Sequence, residues 1–284
     1  MKPTPRAWLL VLPAIVTYVV LLFGPLYYLI DESLKPFESG RIGGTEGAGM
    51  TIRHYVDMMA PAYAFYFYDT FRVSLMASLA GLALGYPVAY YVARQQNKRI
   101  RKAWIAFLIG MLFLSIIVRV YAILMAFGPV GPLKGLAWLI GMHAESPAFA
   151  GVQVGLGLLH SILPLVALTL IGTIQNVDPK LEDAAQVLGA PRWRGFTGIT
   201  LVLSMPGIMS AFLIAYAFSI SSFVVPLILG KGIVQFVSNL VFIRFSELNN
   251  YPSGAAIAMI LLAISMLIVY GLTALVRRIW PTGA

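Results

Sequence analysis

The feature that most constrains this chain is a rhythm of long apolar runs separated by short charged or glycine-rich segments. The runs lie at about Trp8 to Ile30, Phe71 to Ala93, Trp104 to Phe127, Phe149 to Ile174, Ile199 to Leu229 and Gly254 to Leu275. A helix of roughly 20 apolar residues crosses the hydrocarbon core of a bilayer. In lipid every backbone N–H and C=O needs an internal partner, so a helix is the form such a run adopts. Composition agrees: 60% of the 284 residues are hydrophobic and 11% are charged, against roughly 25% charged in a soluble domain. The sequence therefore predicts an all-α polytopic membrane protein of about six transmembrane helices, with residues 1–284 forming one transmembrane domain.

The charges orient those spans. Lys2, Arg6, Arg94, Lys98, Arg99, Arg101, Lys102, Lys180, Arg192, Arg194, Arg277 and Arg278 fall on one side, and Lys35, Arg41, Arg53, Lys134, Lys231 and Arg244 on the other, twelve against six. Basic residues collect on the cytoplasmic side, so both ends and the segment 175–198 are expected there. The long segment 31–68 is then extracytoplasmic. The net charge of +9 is explained by this flanking and forms no stripe suited to nucleic acid. The first run is too long for a signal peptide, and no small-residue cleavage site follows it before Asp31-Glu32, so it is expected to remain as a membrane helix. Trp8, Tyr27 and Tyr28 sit at its ends as interface aromatics, and the stretch Tyr63 to Tyr68 reads as an aromatic belt or docking surface. With no cysteine, disulfides and thiolate metal sites are excluded. Span five is longer than a bilayer requires and is expected to tilt or break near Pro206-Gly207 and Pro226. Gly81-x-x-x-Gly85 in span two has the spacing at which a second helix approaches closely.

One polar interruption has a structure of its own. Asp178 and Pro179 form a helix start, a capping side chain followed by a residue that needs no amide partner. Glu182 and Asp183 then occupy the turns where the helix dipole favours negative charge. Ala184 and Ala185 leave a smooth patch, Gly189 supplies the positive φ that ends the helix, and Pro191 prevents its resumption. The run Glu182-Asp183-Ala184-Ala185-x-x-Leu188-Gly189-Ala190, followed by Ile199-Thr200-Leu201 and Pro206-Gly207-Ile208, resembles the EAA loop of ABC importer permeases. It departs from the family at Asp183, where Glu is usual, and at Val202, where Pro is usual; any kink there must come from Pro206.

Other segments resemble spermidine/putrescine-type permeases of that family: Gly85-Tyr86-Pro87-Val88-Ala89-Tyr90-Tyr91, Arg119-Val120-Tyr121-Ala122, Ser222 to Gly230, Asn239-Leu240-Val241 and Tyr251 to Ala256. The resemblance implies the type I ABC importer permease fold and a bacterial inner-membrane subunit. It also implies a second permease, expected to be a different chain, two ATPase subunits and an extracytoplasmic solute-binding protein. ATPase coupling would fall to Glu182, Asp183, Ala184, Ala185, Leu188, Gly189 and Ala190. The sequence has no Gly-x-x-x-x-Gly-Lys-Ser/Thr phosphate loop, so the chain is expected not to be an enzyme and to carry no cofactor, ATP and Mg belonging to the partner ATPase.

Intramembrane polar groups mark candidate pathway positions: Arg72, Arg119, Tyr121, Tyr216, Ser219 and Ser222. Each also has a structural reading. Arg72 lies one turn from a span end and can snorkel, Arg119 can serve backbone carbonyls, and hydroxyls can act as packing glue. The spans hold no acid beyond Asp69, so the solute stays open between a polyamine-like and a small anionic or carboxylate solute. His160 stands alone and reads as a satisfied interior histidine. The alternative to an ATP-driven importer is an ion-gradient-driven secondary transporter, which calls for buried ionisable pairs and inverted repeats; neither is evident. An intramembrane hydrolase lacks a nucleophile with a base in support.

Overall fold

A computed structural model describes residues 5–45, 47, 49–128, 131–133, 135 and 146–279. Lys2, Pro129, Val130, Lys134 and Glu145 lie outside the described residues, as do the side chains of Arg6, Trp8 and Arg277. Every regular element among the described residues is helical. The principal helices are α1 (Pro5–Ser33), α2 (Arg53–Asp57), α3 (Pro61–Arg94), α4 (Lys98–Phe113), α5 (Ile116–Ala126), α6 (Pro147–Gln175) and α7 (Lys180–Val187). There follow α8 (Arg192–Leu203), α9 (Met205–Ile220), α10 (Val224–Leu229), α11 (Val237–Phe242) and α12 (Tyr251–Ile279). Among the described residues four helices are long and apolar enough to cross a membrane, and the number is six when each of two bent pairs, α4–α5 and α8–α9, is taken as one span.

The bends explain where the sequence reading was too simple. Span three is not one rod: α4 and α5 meet at 91°, with Leu114 and Ser115 extended between them. Span five breaks by 64° at Ser204, two residues before Pro206, which lacks the N–H to continue the ladder. Pro206 thus supplies the kink that Val202 does not. Segment 31–68 is shorter as a loop than expected, because α3 already begins at Pro61 and carries the aromatic stretch Tyr63 to Tyr68 in its first turns.

The chain divides into two compact units. Unit one comprises Met1–Ala64 and Leu240–Ile264, and unit two comprises Phe65–Asn239 and Ser265–Ala284. In unit one, Lys35 gathers the carboxylates of Asp31 at 2.7 Å and Glu32 at 3.2 Å. Hydrogen bonds to Asp31 and then Glu32 raise its pKa above the ordinary lysine value. Glu32 also accepts from the Gly44 amide at 2.6 Å, which ties the glycine-rich stretch back to the end of α1.

The core of unit two is a continuous apolar cluster centred on α6. Gly81 and Gly85 do what their spacing predicts. A Cβ on Gly81 would stand 2.9 Å from Ile162, and one on Gly85 2.9 Å from Val166, closer than carbon atoms tolerate. Because 81 meets 162 and 85 meets 166, α3 and α6 run in the same direction. Spans two and four of a six-span chain must do so.

Candidate functional site

The short helix α7 closes as its sequence specifies. The Asp178 carboxylate accepts from the Lys180 amide at 2.9 Å. At the other end Gly189 has φ +88°, its amide donates to the Gln186 carbonyl at 2.9 Å, and the Ala190 amide reaches the Ala185 carbonyl at 2.9 Å. Those two bonds make a Schellman closure, which satisfies the last carbonyls while the left-handed glycine turns the chain away.

What holds α7 in place was not apparent from the loop alone. Tyr86, Tyr90 and Arg94 follow one another at four-residue spacing and so lie on one face of the end of α3. Arg94 Nη2 donates to Glu182 Oε1 at 3.0 Å, and its Nη1 to the Val177 carbonyl at 2.8 Å. Tyr90 donates to Glu182 Oε2 at 2.8 Å, and the Thr200 hydroxyl also donates to Glu182. The Arg94 and Glu182 side chains are only 17% and 13% exposed, so solvent screens the pair weakly. Burial alone would push the Glu182 carboxyl up, but the hydrogen bonds from Thr200, Tyr90 and Arg94 outweigh it and hold the pKa below the ordinary range. Beside this pair, Phe196 packs edge-on against Tyr90 at 4.9 Å and Tyr86 at 5.8 Å, and Tyr86 shares a hydrogen bond with Ser204 at 2.9 Å. The loop is therefore fastened to α3 by an ion pair, a ring cluster and two hydroxyl bonds. Phe196 to Thr200 form a π-helical turn.

The seven sequence-chosen loop residues separate into two groups. Glu182 points inward, to Arg94. Asp183, Ala184, Leu188 and Gly189 are exposed, with Ala185 and Ala190 between. Val187 and Leu188 are 87% and 88% exposed, and Leu181 and Trp193 are also exposed. A short helix clamped by its acid thus presents apolar side chains to the outside.

The six candidate pathway residues are not gathered into one site. Arg72 is half-exposed, pairs with Asp69 at 3.4 Å and lies 5.0 Å from the Tyr68 ring, which is snorkelling geometry. Arg119 is buried and donates to the Met111 carbonyl, which also accepts from the Leu114 amide at the broken end of α4. There a cation also suits the helix dipole. Tyr121 is exposed. Tyr216 is buried and stacked on Phe212 at 5.8 Å. Ser219 and Ser222 are buried with hydroxyls that lack partners. Sequence reasoning passed over Gln153, buried on α6 with neither amide atom bonded; a lone amide in an apolar helix was its only signal. His160 keeps an unpartnered Nδ1, so it is less satisfied than expected. Among the described residues no group of three or more His, Cys, Asp or Glu converges as a metal site would require.

The family model described as "Binding-protein-dependent transport system inner membrane component" matches residues 81–281. The chain is 28% identical over 229 residues to the spermidine/putrescine transport system permease protein PotB of Escherichia coli (strain K12), covering 80% of this chain and 81% of that protein. The inner membrane ABC transporter permease protein YdcU of the same organism is 24% identical over 272 residues, covering 91% and 86%. Among solved structures, a chain of the bacterial alginate ABC transporter, in complex with alginate pentasaccharide-bound periplasmic protein, superposes with a TM-score of 0.78. It covers 98% of this chain and 97% of that one at 20% identity, a likeness of fold.

Proposed function

The chain belongs to the binding-protein-dependent transport system inner membrane components, and from that premise we propose how it is driven and what surrounds it. It is the permease subunit of an ABC importer of that type, not an enzyme of its own. In our reading 1–284 is a single transmembrane permease domain in a bacterial inner membrane, with both ends cytoplasmic, which the twelve-to-six distribution of basic residues supports. A separate pair of ATPase subunits, carrying ATP and Mg, drives it. A second permease, a different chain, completes the pathway, and an extracytoplasmic binding protein delivers the solute.

Coupling runs through α7. The exposed side chains of Val187, Leu188 and Trp193, with Asp183 and Ala184 beside them, form the surface that the ATPase engages. The Arg94–Glu182 pair is the observation that carries this reading, because it joins that surface to a 34-residue helix. A rigid connection lets closure of the ATPase move the spans as bodies. Gly189 and Ala190 set the exit of the loop into α8.

For the pathway, Ser219 and Ser222 have the most support, being buried hydroxyls without partners in a place where such groups are costly. Tyr216 lies on the same helix as Ser219, while Arg72, Arg119 and Tyr121 support the pathway from its margins. The solute is polyamine-like, as the name of PotB suggests, or a small carboxylate. The pairing of Asp69 with Arg72 favours the carboxylate, since it leaves no free acid in the spans, among the described residues, for a cation.

The test is co-purification from membranes with co-expressed partners. Leu188→Asp should abolish recovery of the ATPase. Arg94→Gln should retain the ATPase while uptake falls at least tenfold. Full ATPase recovery with Leu188→Asp would overturn the assigned surface.

A further inference from the structure

Unit one contains a cavity of about 850 Å³ that the coupling scheme does not use. Its volume falls within the ~300–1,000 Å³ common for small-molecule sites. Arg244 lines it. The guanidinium is half-buried, Nη2 donates to the Tyr63 hydroxyl at 2.7 Å, and Nε has no partner. No carboxylate stands within ion-pair distance of it among the described residues. The acids nearby are otherwise engaged or turned away: Asp31 and Glu32 by Lys35, Glu38 by Arg41, and Glu247 is exposed and outside the lining. A half-buried cation lacking a counter-ion is costly unless something supplies one.

The backbone is specialised at this point. Ile243–Glu247 form a π-helical turn, a widening often found at functional sites, and the Asn250 amide closes it on the Arg244 carbonyl at 2.9 Å. At the rim Arg53 adds a second guanidinium. Its contact with Asp57, the one acid among the described lining residues, is a loose 4.0 Å between exposed side chains. His54 is neutralised as an acceptor on its Nε2 side, because that nitrogen donates to the Lys35 carbonyl at 3.0 Å. Phe37, Val56 and Met59 complete an apolar wall.

We propose that this cavity binds a small amphipathic carboxylate, its charged end on Arg244 and Arg53 and its apolar body against Phe37 and Met59. A carboxylate matches the guanidinium fork, and such charge-assisted pairs are among the strongest hydrogen bonds. The inference selects the carboxylate over the polyamine as solute class. It rests on the importer reading only in regarding the bound molecule as the transported one.

The experiment is calorimetric titration of the full chain, purified with its partners in lipid nanodiscs. The probes are phenylacetate and its cationic counterpart 2-phenylethylamine. Phenylacetate should bind the wild type. Arg244→Gln should weaken it about tenfold or more, and Arg53→Gln by less. Asp57→Asn, at an exposed position that leaves folding intact, should tighten it, and the amine should not bind. Absence of phenylacetate binding, equal binding to wild type and Arg244→Gln, or stronger binding of the amine would each overturn the proposal. Recovery of the ATPase in the same preparation keeps that failure separate from a failure of the importer reading.

Discussion

Arg94 and Arg244 are both guanidiniums held within protein, yet they are built in opposite ways. Arg94 directs one nitrogen to a carbonyl and another to the Glu182 carboxylate, and that carboxylate has two hydroxyl donors besides. Both keep an unpartnered Nε, but Arg244 has one neutral hydroxyl and no carboxylate within ion-pair distance among the described residues. A cation whose charge is balanced by a carboxylate fixes geometry and has no need of a ligand. A cation without a counter-ion contributes little to the fold and keeps its charge available to a ligand. The contrast separates a charge that positions from one that binds, and it can be tested on stability alone.

The largest effect should follow Arg94→Ala. It leaves Glu182 as a mostly buried carboxylate without its cation, at a cost of about 3 kcal/mol. A double-mutant cycle with Glu182→Gln should recover much of that loss in thermal melting; additive losses would mean that the pair is not a unit. Gly189→Val should come next, at about 1–2 kcal/mol, because a β-branched residue must adopt a φ near +88°. Uptake should fall with it while membrane insertion is unchanged. Acid gives a third test. Glu182 titrates below its ordinary value, so its contribution is complete above the usual carboxylate range and disappears as pH falls through and below it. The melting difference between wild type and Glu182→Gln should be constant near neutrality and shrink progressively once pH falls below about 4. Arg244→Gln should change melting by about 1 kcal/mol or less; a loss as large as that of Arg94→Ala would break the comparison. Smallest of all, Arg72→Gln should move melting by about 0.5 kcal/mol or less, since its pair with Asp69 is exposed.

Much of this was readable beforehand, and the exceptions share a cause. The end structure of α7 was legible because capping and left-handed glycines are local chemistry: Asp178 and Gly189 act on residues two or three positions away. The close crossing of α3 and α6 was legible from Gly81 and Gly85, since only small residues permit it. The break between α4 and α5 was hidden. No proline or glycine marks Leu114 and Ser115, and the stabilising contact, Arg119 to the Met111 carbonyl, exists only after the chain has folded back. Tyr90 and Arg94 were visible merely as a motif position and one basic residue in a basic segment. Their role depends on Glu182, 88 positions beyond Arg94, and no periodicity reports such a distance. Arg244 was counted for topology alone, because an absent counter-ion leaves no trace in sequence.

The fastening of α7 to α3 bears on how freely such a segment can be exchanged between transporters. Residues 175–198 form a contiguous cassette and invite grafting, yet half of their attachment lies outside them, at Tyr86, Tyr90, Arg94 and Thr200. A chimera that receives a foreign loop without the matching positions would keep a well-formed helix on a loose mount. Chimeras that exchange loop and anchor positions as one set should retain drive. The heritable module is therefore discontinuous in the chain, and compensating changes are to be sought between positions 90, 94, 182 and 200.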